Sequence, residues 1–292
     1  MFKRKLITPI VLLVTAGFVI SGCTTQTEET NEAAPTATKV IVDYGDVLPS
    51  GKTVQVTDGT YETVKFDENN PLYSKYQQEA TTNEVATFGF TFDQVIQAQQ
   101  TALNILVDDY IDNPAVGGTS ADYLTWVNSL AETNKYDPAI TDQLETFDTN
   151  TGDSSDPTTL VLTRSENSVL PVFVKDGKPR MSDVDIDITK VDATEYDKKP
   201  YLEFTFKADT DYRVSDKSVI DAALKASELT NKEDLRGILD DQVFDDEGDN
   251  AFAVTSNITL GMQKFDDQWK VVTVTSDYSF DESDYKVSTD KK

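Results

Sequence analysis

Phe252-Ala253-Val254-Thr255-Ser256-Asn257-Ile258-Thr259-Leu260-Gly261-Met262 and, past Asp266-Asp267, the run from Trp269 to Phe280 decide the fold. Phe252, Val254, Ile258, Leu260 and Met262 fall at even positions, and after the turn Val272, Val274, Tyr278 and Phe280 keep one phase. Successive side chains of a strand point to opposite faces, so this alternation gives one apolar and one wet face. The stretch therefore reads as a long amphipathic hairpin of an antiparallel sheet.

Working back along the chain, Val219, Ala222, Ala223 and Leu224 share a helical segment. Thr230 with Glu233 forms a capping box ahead of Leu235, Ile238 and Leu239, so a helical insertion is expected at about 215–245. Before it the strand pattern returns. Leu202, Phe204 and Phe206 share a face, and in Asp183-Val184-Asp185-Ile186-Asp187-Ile188 the apolar residues oppose three aspartates. Thr159–Thr163 and Val169–Val174 also read as strands, with a hairpin turn at Asp176-Gly177.

Three helices precede this sheet. The first begins at Thr91, where Thr91 and Gln94 make a capping box and Phe90 and Val95 a hydrophobic staple. Val95, Gln99, Ala102, Leu103, Leu106 and Tyr110 lie on one face, and Asn113-Pro114 ends the run. Ser120 caps a second helix carrying Tyr123, Leu124, Val127 and Leu130, and Asp137-Pro138 opens a third with Ile140, Leu144 and Phe147. Ahead of residue 88, Lys39–Asp43, Thr53–Thr57 and Tyr61–Phe66 read as short strands around turns at Pro49-Ser50-Gly51 and Asp58-Gly59. The fold class is α+β: helices packed on a curved, mostly antiparallel sheet, with a helical insertion and an N-terminal β segment.

The chain starts with Lys3, Arg4 and Lys5, then the apolar run Leu6 to Ile20, then Ser21-Gly22-Cys23. Cations, a short apolar run and small residues at its end make a secretory signal, and the run is shorter than the roughly 20 residues a spanning helix needs. An ordinary signal peptide with a chance cysteine, or an uncleaved anchor, is the alternative. Val19-Ile20-Ser21-Gly22-Cys23 resembles the lipobox of bacterial lipoproteins. The resemblance implies cleavage between Gly22 and Cys23 and a diacylglycerol on the Cys23 thiol, with palmitate-type chains. Two acyl chains hold a membrane stably where one does not, so the expected location is the extracytoplasmic face of the cell membrane.

The expected organisation is a signal peptide at 1–22 and a lipidated stalk at 23–38. The N-terminal β segment and its connection occupy 39–87, the α+β domain 88–282, and a polar tail 283–292. Residues 24–38 contain no large apolar side chain, and a flexible linker of that length reaches roughly 20 Å.

Composition excludes more than it selects. The 292 residues contain no histidine and a single cysteine. Ser-His-Asp and Cys-His catalysis and histidine-ligated zinc are therefore excluded, as are disulfides once Cys23 carries lipid. Residues 1–22 hold three of the 26 basic residues and none of the 52 acids, so the chain from Cys23 onward has 23 against 52, a net charge of −29. Nucleic acid and anionic headgroups are repelled. Membrane contact is thus expected through the lipid alone, with no nucleic acid as partner.

Helices followed by a sheet that closes in a long hairpin with Trp269 just past its turn resemble the nuclear transport factor 2-like superfamily. The residues that carry the resemblance are Thr91–Asp112 and the hairpin Ala253 through Val272. The helical insertion and the β segment before residue 88 lie outside the family pattern. The resemblance implies a cone with an apolar pocket between sheet and helices. Its isomerase-type members set an aspartate base opposite a tyrosine and a protonated acid, for which Tyr110, Tyr123 and an inward acid are the conceivable groups here; its dehydratase-type members use an Asp–His pair, which this chain cannot form.

Other patterns carry less. Asp183, Asp185 and Asp187 spread over about 13 Å along a strand, too far for one Ca²⁺ without a neighbouring strand. Asp245-Asp246-Glu247-Gly248-Asp249-Asn250 is denser but lacks the EF-hand register. Ser283-Asp284-Tyr285-Lys286 matches Ser-x-x-Lys without its partner motifs, and Ser50-Gly51-Lys52-Thr53 lacks the first glycine of a phosphate loop. No catalytic residue, metal ligand or cofactor is assigned. The expected function is a lipid-tethered binding or interaction module for a protein or small apolar ligand of the cell envelope. A solute-capture lipoprotein of a transporter and an isomerase-like pocket enzyme are the alternatives.

Overall fold

A computed structural model describes residues 43–56, 59–116, 120–145, 174–196, 198–214 and 251–280. In chain order the elements are β1 (Val47–Val56), β2 (Gly59–Phe66), α1 (Pro71–Ser74), α2 (Asn83–Thr87) and α3 (Phe92–Ile105), which runs on as a π-helical turn, Leu106–Ile111. Then come α4 (Ser120–Thr133), α5 (Pro138–Glu145), β3 (Asp176–Pro179), β4 (Met181–Tyr196), β5 (Lys199–Arg213), β6 (Ala251–Phe265) and β7 (Gln268–Phe280). The fold is α+β, with two sheets: β1-β2-β3, and an antiparallel meander β4-β5-β6-β7.

The alternation read in the sequence becomes the core face of the meander. Val184, Ile186 and Ile188 of β4, Leu202, Phe204 and Phe206 of β5, and Val254, Ile258, Leu260 and Met262 of β6 are all buried in one cluster. Phe204 and Phe206 stack with their centroids 6.2 Å apart. Register shifts let strands this long keep an apolar face. In β4 one shift falls between Met181 and Asp183 and a second between Ile188 and Lys190, after which Val191 and Ala193 face inward. Between β6 and β7, Gly261 pairs with Thr273 and Met262 with Val271, so Val272 is the extra residue of a bulge.

This bulge corrects the single phase expected for β7. Trp269 and Val271 face the core before it, and Val274 packs against the core after it. Gly261 is required at the bulge, since a Cβ there would lie 2.1 Å from the Thr273 hydroxyl and 2.8 Å from the Tyr201 ring.

α3 starts where its signals place it. The Thr91 side chain accepts from the Gln94 N–H and the Gln94 side chain accepts from the Thr91 N–H, so the capping box is complete. Val95, Ala98, Ala102, Leu103 and Leu106 then join the cluster from the other side, and α3 packs against β5, β6, β7 and β2.

Two turns expected upstream are strand instead. Pro49-Ser50-Gly51 lies inside β1, where an irregularity between Pro49 and Thr53 absorbs Gly51 at φ +77°. Asp176-Gly177 opens β3, which pairs in parallel with β2. The β1–β2 hairpin is present, from Val47 opposite Phe66 to Val56 opposite Gly59. The strands at 159–163 and 169–173 and the insertion at 215–245 lie outside the described residues, as do Gly22, Cys23 and the rest of residues 1–42.

Outer strands leave backbone groups unpaired, and both outer strands of the meander are partly occupied. Along β4, the Asp46 N–H donates to the Val184 carbonyl at 2.7 Å and the Ile186 N–H to the Asp46 carboxylate at 2.8 Å. Further along, the Thr82 N–H donates to the Val191 carbonyl at 2.9 Å. Along β7, the Val271 N–H donates to the Lys135 carbonyl at 2.9 Å and its carbonyl accepts from Asp137 at 2.8 Å.

A buried polar knot joins the helices to both sheets. The Arg180 guanidinium meets Asp112 at 3.0 Å and donates to the carbonyls of Asn113 at 2.8 Å and Val116 at 3.3 Å. It lies over the Tyr61 ring at 4.0 Å. The other Asp112 oxygen accepts from the Val64 N–H of β2 at 2.7 Å.

Candidate functional site

α3 turns one face to the core and leaves Gln97, Gln100, Thr101 and Asn104 on another. That second face forms one wall of a groove of about 510 Å³. Tyr73, just after α1 begins, continues this wall; Thr133, Asn134 and Lys135 at the end of α4 and Asp267, Gln268 and Trp269 at the β6–β7 turn complete it.

The local chain dictates each placement. Asn134 takes φ +56° to leave α4 and Asp266 takes φ +53° to turn the hairpin, conformations that Asn and Asp adopt more readily than most residues. The two turns are then stitched together. The Asn134 side-chain NH₂ donates to the Gln268 side-chain Oε1 at 2.8 Å, and its Oδ1 accepts from the Lys270 ammonium at 2.6 Å. On the opposite wall the Asn104 amide donates to the Tyr73 hydroxyl at 3.2 Å. Trp269 is 7 % exposed, and its indole N–H has no hydrogen-bond partner among the described residues.

Behind the groove lies a charged cluster on the π-helical turn. Lys135 meets Asp108 at 3.2 Å and Asp109 at 3.4 Å. Asp109 also accepts from the Tyr136 hydroxyl at 3.0 Å, and Tyr136 meets the Tyr110 hydroxyl at 3.4 Å. Burial pushes the Asp109 carboxyl above its ordinary range, with Lys135 and Tyr136 opposing. Burial works against the charged form of Lys135, but Asp109 and Asp108 outweigh it and raise the ammonium. Tyr136, fully buried and next to Tyr110 and Asp109, is held well above the ordinary phenol value. Lys135 is therefore charged, and its charge is already compensated.

Of the residues singled out in the sequence, Tyr110 is buried in this cluster, edge-on to Trp126 at 6.1 Å. It does not line the groove. Tyr123 lies in α4. The aspartates of β4 do gain help from the next strand, since Asp183 stands opposite Asp211 and Asp185 opposite Asp209. Burial first, then Asp211, Asp43 and Asp185 raise Asp183; burial and then Asp209 raise Asp211. Even so, among the described residues no group of three or more acids is placed to hold a metal ion.

Ser50-Gly51-Lys52-Thr53 does not cradle an anion. The Gly51 N–H donates to Glu62 at 2.8 Å and the Lys52 N–H to the Ser50 hydroxyl at 3.0 Å. Residues 245–250 and 283–286 lie outside the described residues. No sequence pattern points to the groove itself, because Gln100 and Trp269 meet only in three dimensions.

Among the described residues no helix is long and apolar enough to cross a membrane. Set beside protein-family models, curated proteins and solved structures, the chain matches none.

Proposed function

We propose that this chain is a lipoprotein held on the extracytoplasmic face of the cell membrane by lipid on Cys23, cut between Gly22 and Cys23, whose folded part is a binding module. The lipid anchor rests on the run Lys3 to Cys23 in the sequence; the observation that carries the binding module is the groove, a concavity of about 510 Å³ walled by α3, the end of α4 and the β6–β7 turn. Its lining is mostly polar, which favours a polar ligand over the apolar one expected from the sequence. We further propose that the meander is curved in the manner of the nuclear transport factor 2-like cone. The bulges in β4 and β7 support this, because bulges bend strands.

Two measurements test it. Cys23→Ala is expected to move the protein from the membrane to the soluble fraction; unchanged, detergent-dependent fractionation would refute the lipid anchor. Thr101→Arg puts a long side chain into the groove from an exposed helix face. Hydrogen exchange of the parent protein at residues 97–104 and 133–135 is expected to slow when solubilised envelope material is added, and to stay unchanged in the variant. Equal exchange with and without envelope material in the parent would refute binding at the groove.

A second reading, an isomerase-like enzyme, draws on one observation: the buried Asp109 carboxylate bonded to the Tyr136 hydroxyl next to Tyr110. Neither Asp109 nor Tyr136 lines the groove, and Lys135 already shares the Asp109 charge. Under this reading Tyr136→Phe abolishes turnover of a substrate with an acidic C–H beside a carbonyl. Under the binding reading the variant retains its ligand as the parent does. The solute-capture reading calls for two lobes of alternating strand and helix, whereas here α3 to α5 come together and β4 and β5 follow as one hairpin.

A further inference from the structure

We infer that the groove takes an uncharged saccharide, an assignment that rests on the groove being the binding site. Charge supplies the first step. The chain carries 52 acids, yet only one of the eleven groove residues, Asp267, is acidic. The single cation there, Lys135, is neutralised by Asp108 and Asp109. Lys270, just outside the lining, donates to Asn134 and is offset by Asp267 at the same turn. An anionic ligand would meet no cation in the lining without carboxylate partners and a strongly negative protein outside; a cationic one would find one exposed carboxylate. The groove is a near-neutral island on a polyanion.

Hydrogen-bonding capacity supplies the second step. Five of the eleven groove residues are carboxamides, and each carboxamide offers a donor and an acceptor side by side. Gln97 and Gln100 make no side-chain hydrogen bond among the described residues. Asn104 spends one N–H on Tyr73, so its oxygen stays available to accept and the Tyr73 hydroxyl proton to donate. Gln268 accepts from Asn134 through its oxygen, so its NH₂ remains able to donate. A fixed, uncharged mixture of donors and acceptors complements hydroxyl groups, which both give and receive. Tyr73, half-buried on the α1 side, adds aromatic surface for the C–H face of a sugar ring.

An extended peptide would also satisfy carboxamides, but it gains most from an open strand edge. The edge beside this groove is taken at Val271 by Lys135 and Asp137. The saccharide therefore fits better than the peptide.

The test uses the full chain in a zwitterionic detergent free of sugar headgroups. It is titrated with neutral tetra- to hexasaccharides built from glucose, mannose, galactose and N-acetylglucosamine, and the side-chain amide and indole N–H signals are followed by NMR. At least one saccharide is expected to give saturable shifts in the amides of Gln97, Gln100 and Gln268 and in the Trp269 indole. The double variant Gln97→Ala, Gln100→Ala, with both changes on a solvent-facing helix surface, is expected to keep the parent's melting temperature and bind about tenfold more weakly. A panel in which no saccharide gives saturable shifts at these signals overturns the inference, as does undiminished binding by the double variant. If an uncharged peptide shifts the same signals where every saccharide fails, the saccharide is refuted and the groove still stands as a binding site; if envelope material leaves hydrogen exchange at the groove unchanged, it is the binding-site reading that falls.

Discussion

Arg180 and Asp112 show how much one pair of side chains can hold. Each is 3 % exposed, and between them they reach β2, the chain after the π-helical turn and the start of β4. Burial, and to a lesser degree Asp108, push the Asp112 carboxyl upward, and Arg180 and the Val64 N–H pull it back only in part. Such a pair adds little net stability when whole but is costly to halve, because the remaining charge stays buried. Asp112→Asn is expected to lower unfolding stability by about 3–5 kcal/mol in a urea titration. A loss under about 1 kcal/mol would show that the pair is hydrated and that the knot does not hold the layers.

Asp211 is raised as well, but among the described residues no cation faces it, so its replacement works the other way. It faces Asp183 across the β4–β5 ladder, and its folded value is raised by burial and by Asp209. A raised carboxyl makes the folded state bind its proton more tightly. Stability from this group therefore falls as pH rises from the ordinary value near 3.8 through the folded value, and the penalty is complete above that. Asp211→Asn is thus expected to stabilise by about 0.5 kcal/mol at pH 7, the scale of a like-charged cross-strand pair. The gain should fade on acidification below the ordinary carboxyl value. Thermal melts across this pH range would expose an error as a gain that persists in acid.

At the scale of elements, α3 and the β6–β7 hairpin carry the fold. Thr91→Ala removes one half of a complete capping box and is expected to cost about 1 kcal/mol. Gly261→Val forces a side chain against Thr273 and Tyr201 and is expected to cost at least about 1–3 kcal/mol, as overpacking does. If chemical denaturation finds Gly261→Val neutral, the bulge is not where the pairing places it.

These elements are also the most legible in the sequence, and for a common reason: each is declared by neighbours within a few positions. The Thr91–Gln94 box lies three residues apart, and the alternations at 183–188 and 202–206 declare their faces locally. Asn70 capping α1, with Pro71 behind it, is a local signal of the same kind. What stays hidden depends on partners far away. Pro49-Ser50-Gly51 has turn composition, but pairing with β2 draws it into a strand with a bulge. Asp176-Gly177 likewise looks like a hairpin turn until β2 offers a parallel edge. Val272 breaks the phase of β7 only because Gly261, across the ladder, lets the backbones close up. The groove is least legible of all, since its walls come from positions near 73, 100, 134 and 268.

For the whole molecule, the excess of acids matters most. A formal net charge of −26 works against compactness, and salt relieves that repulsion by screening. The melting temperature is therefore expected to rise between low and moderate sodium chloride. Calcium at equal ionic strength is expected to do the same and no more, given that no described group of three acids is placed to hold an ion. A calcium-specific rise of several degrees would reveal a site among the acids and overturn that expectation.

The seam between the Lys135–Asp137 segment and Val271 has a dynamic consequence. Lys135 hangs from the same short piece of chain whose backbone is bonded into the sheet rim, two residues from Trp269. One side of the cleft is thus tied to its floor, and a guest meets nearly the same shape before and after arrival. Capture should then be a single kinetic step, its observed rate climbing in proportion to guest concentration without levelling off, and with little ordering cost to offset the affinity of the bound guest.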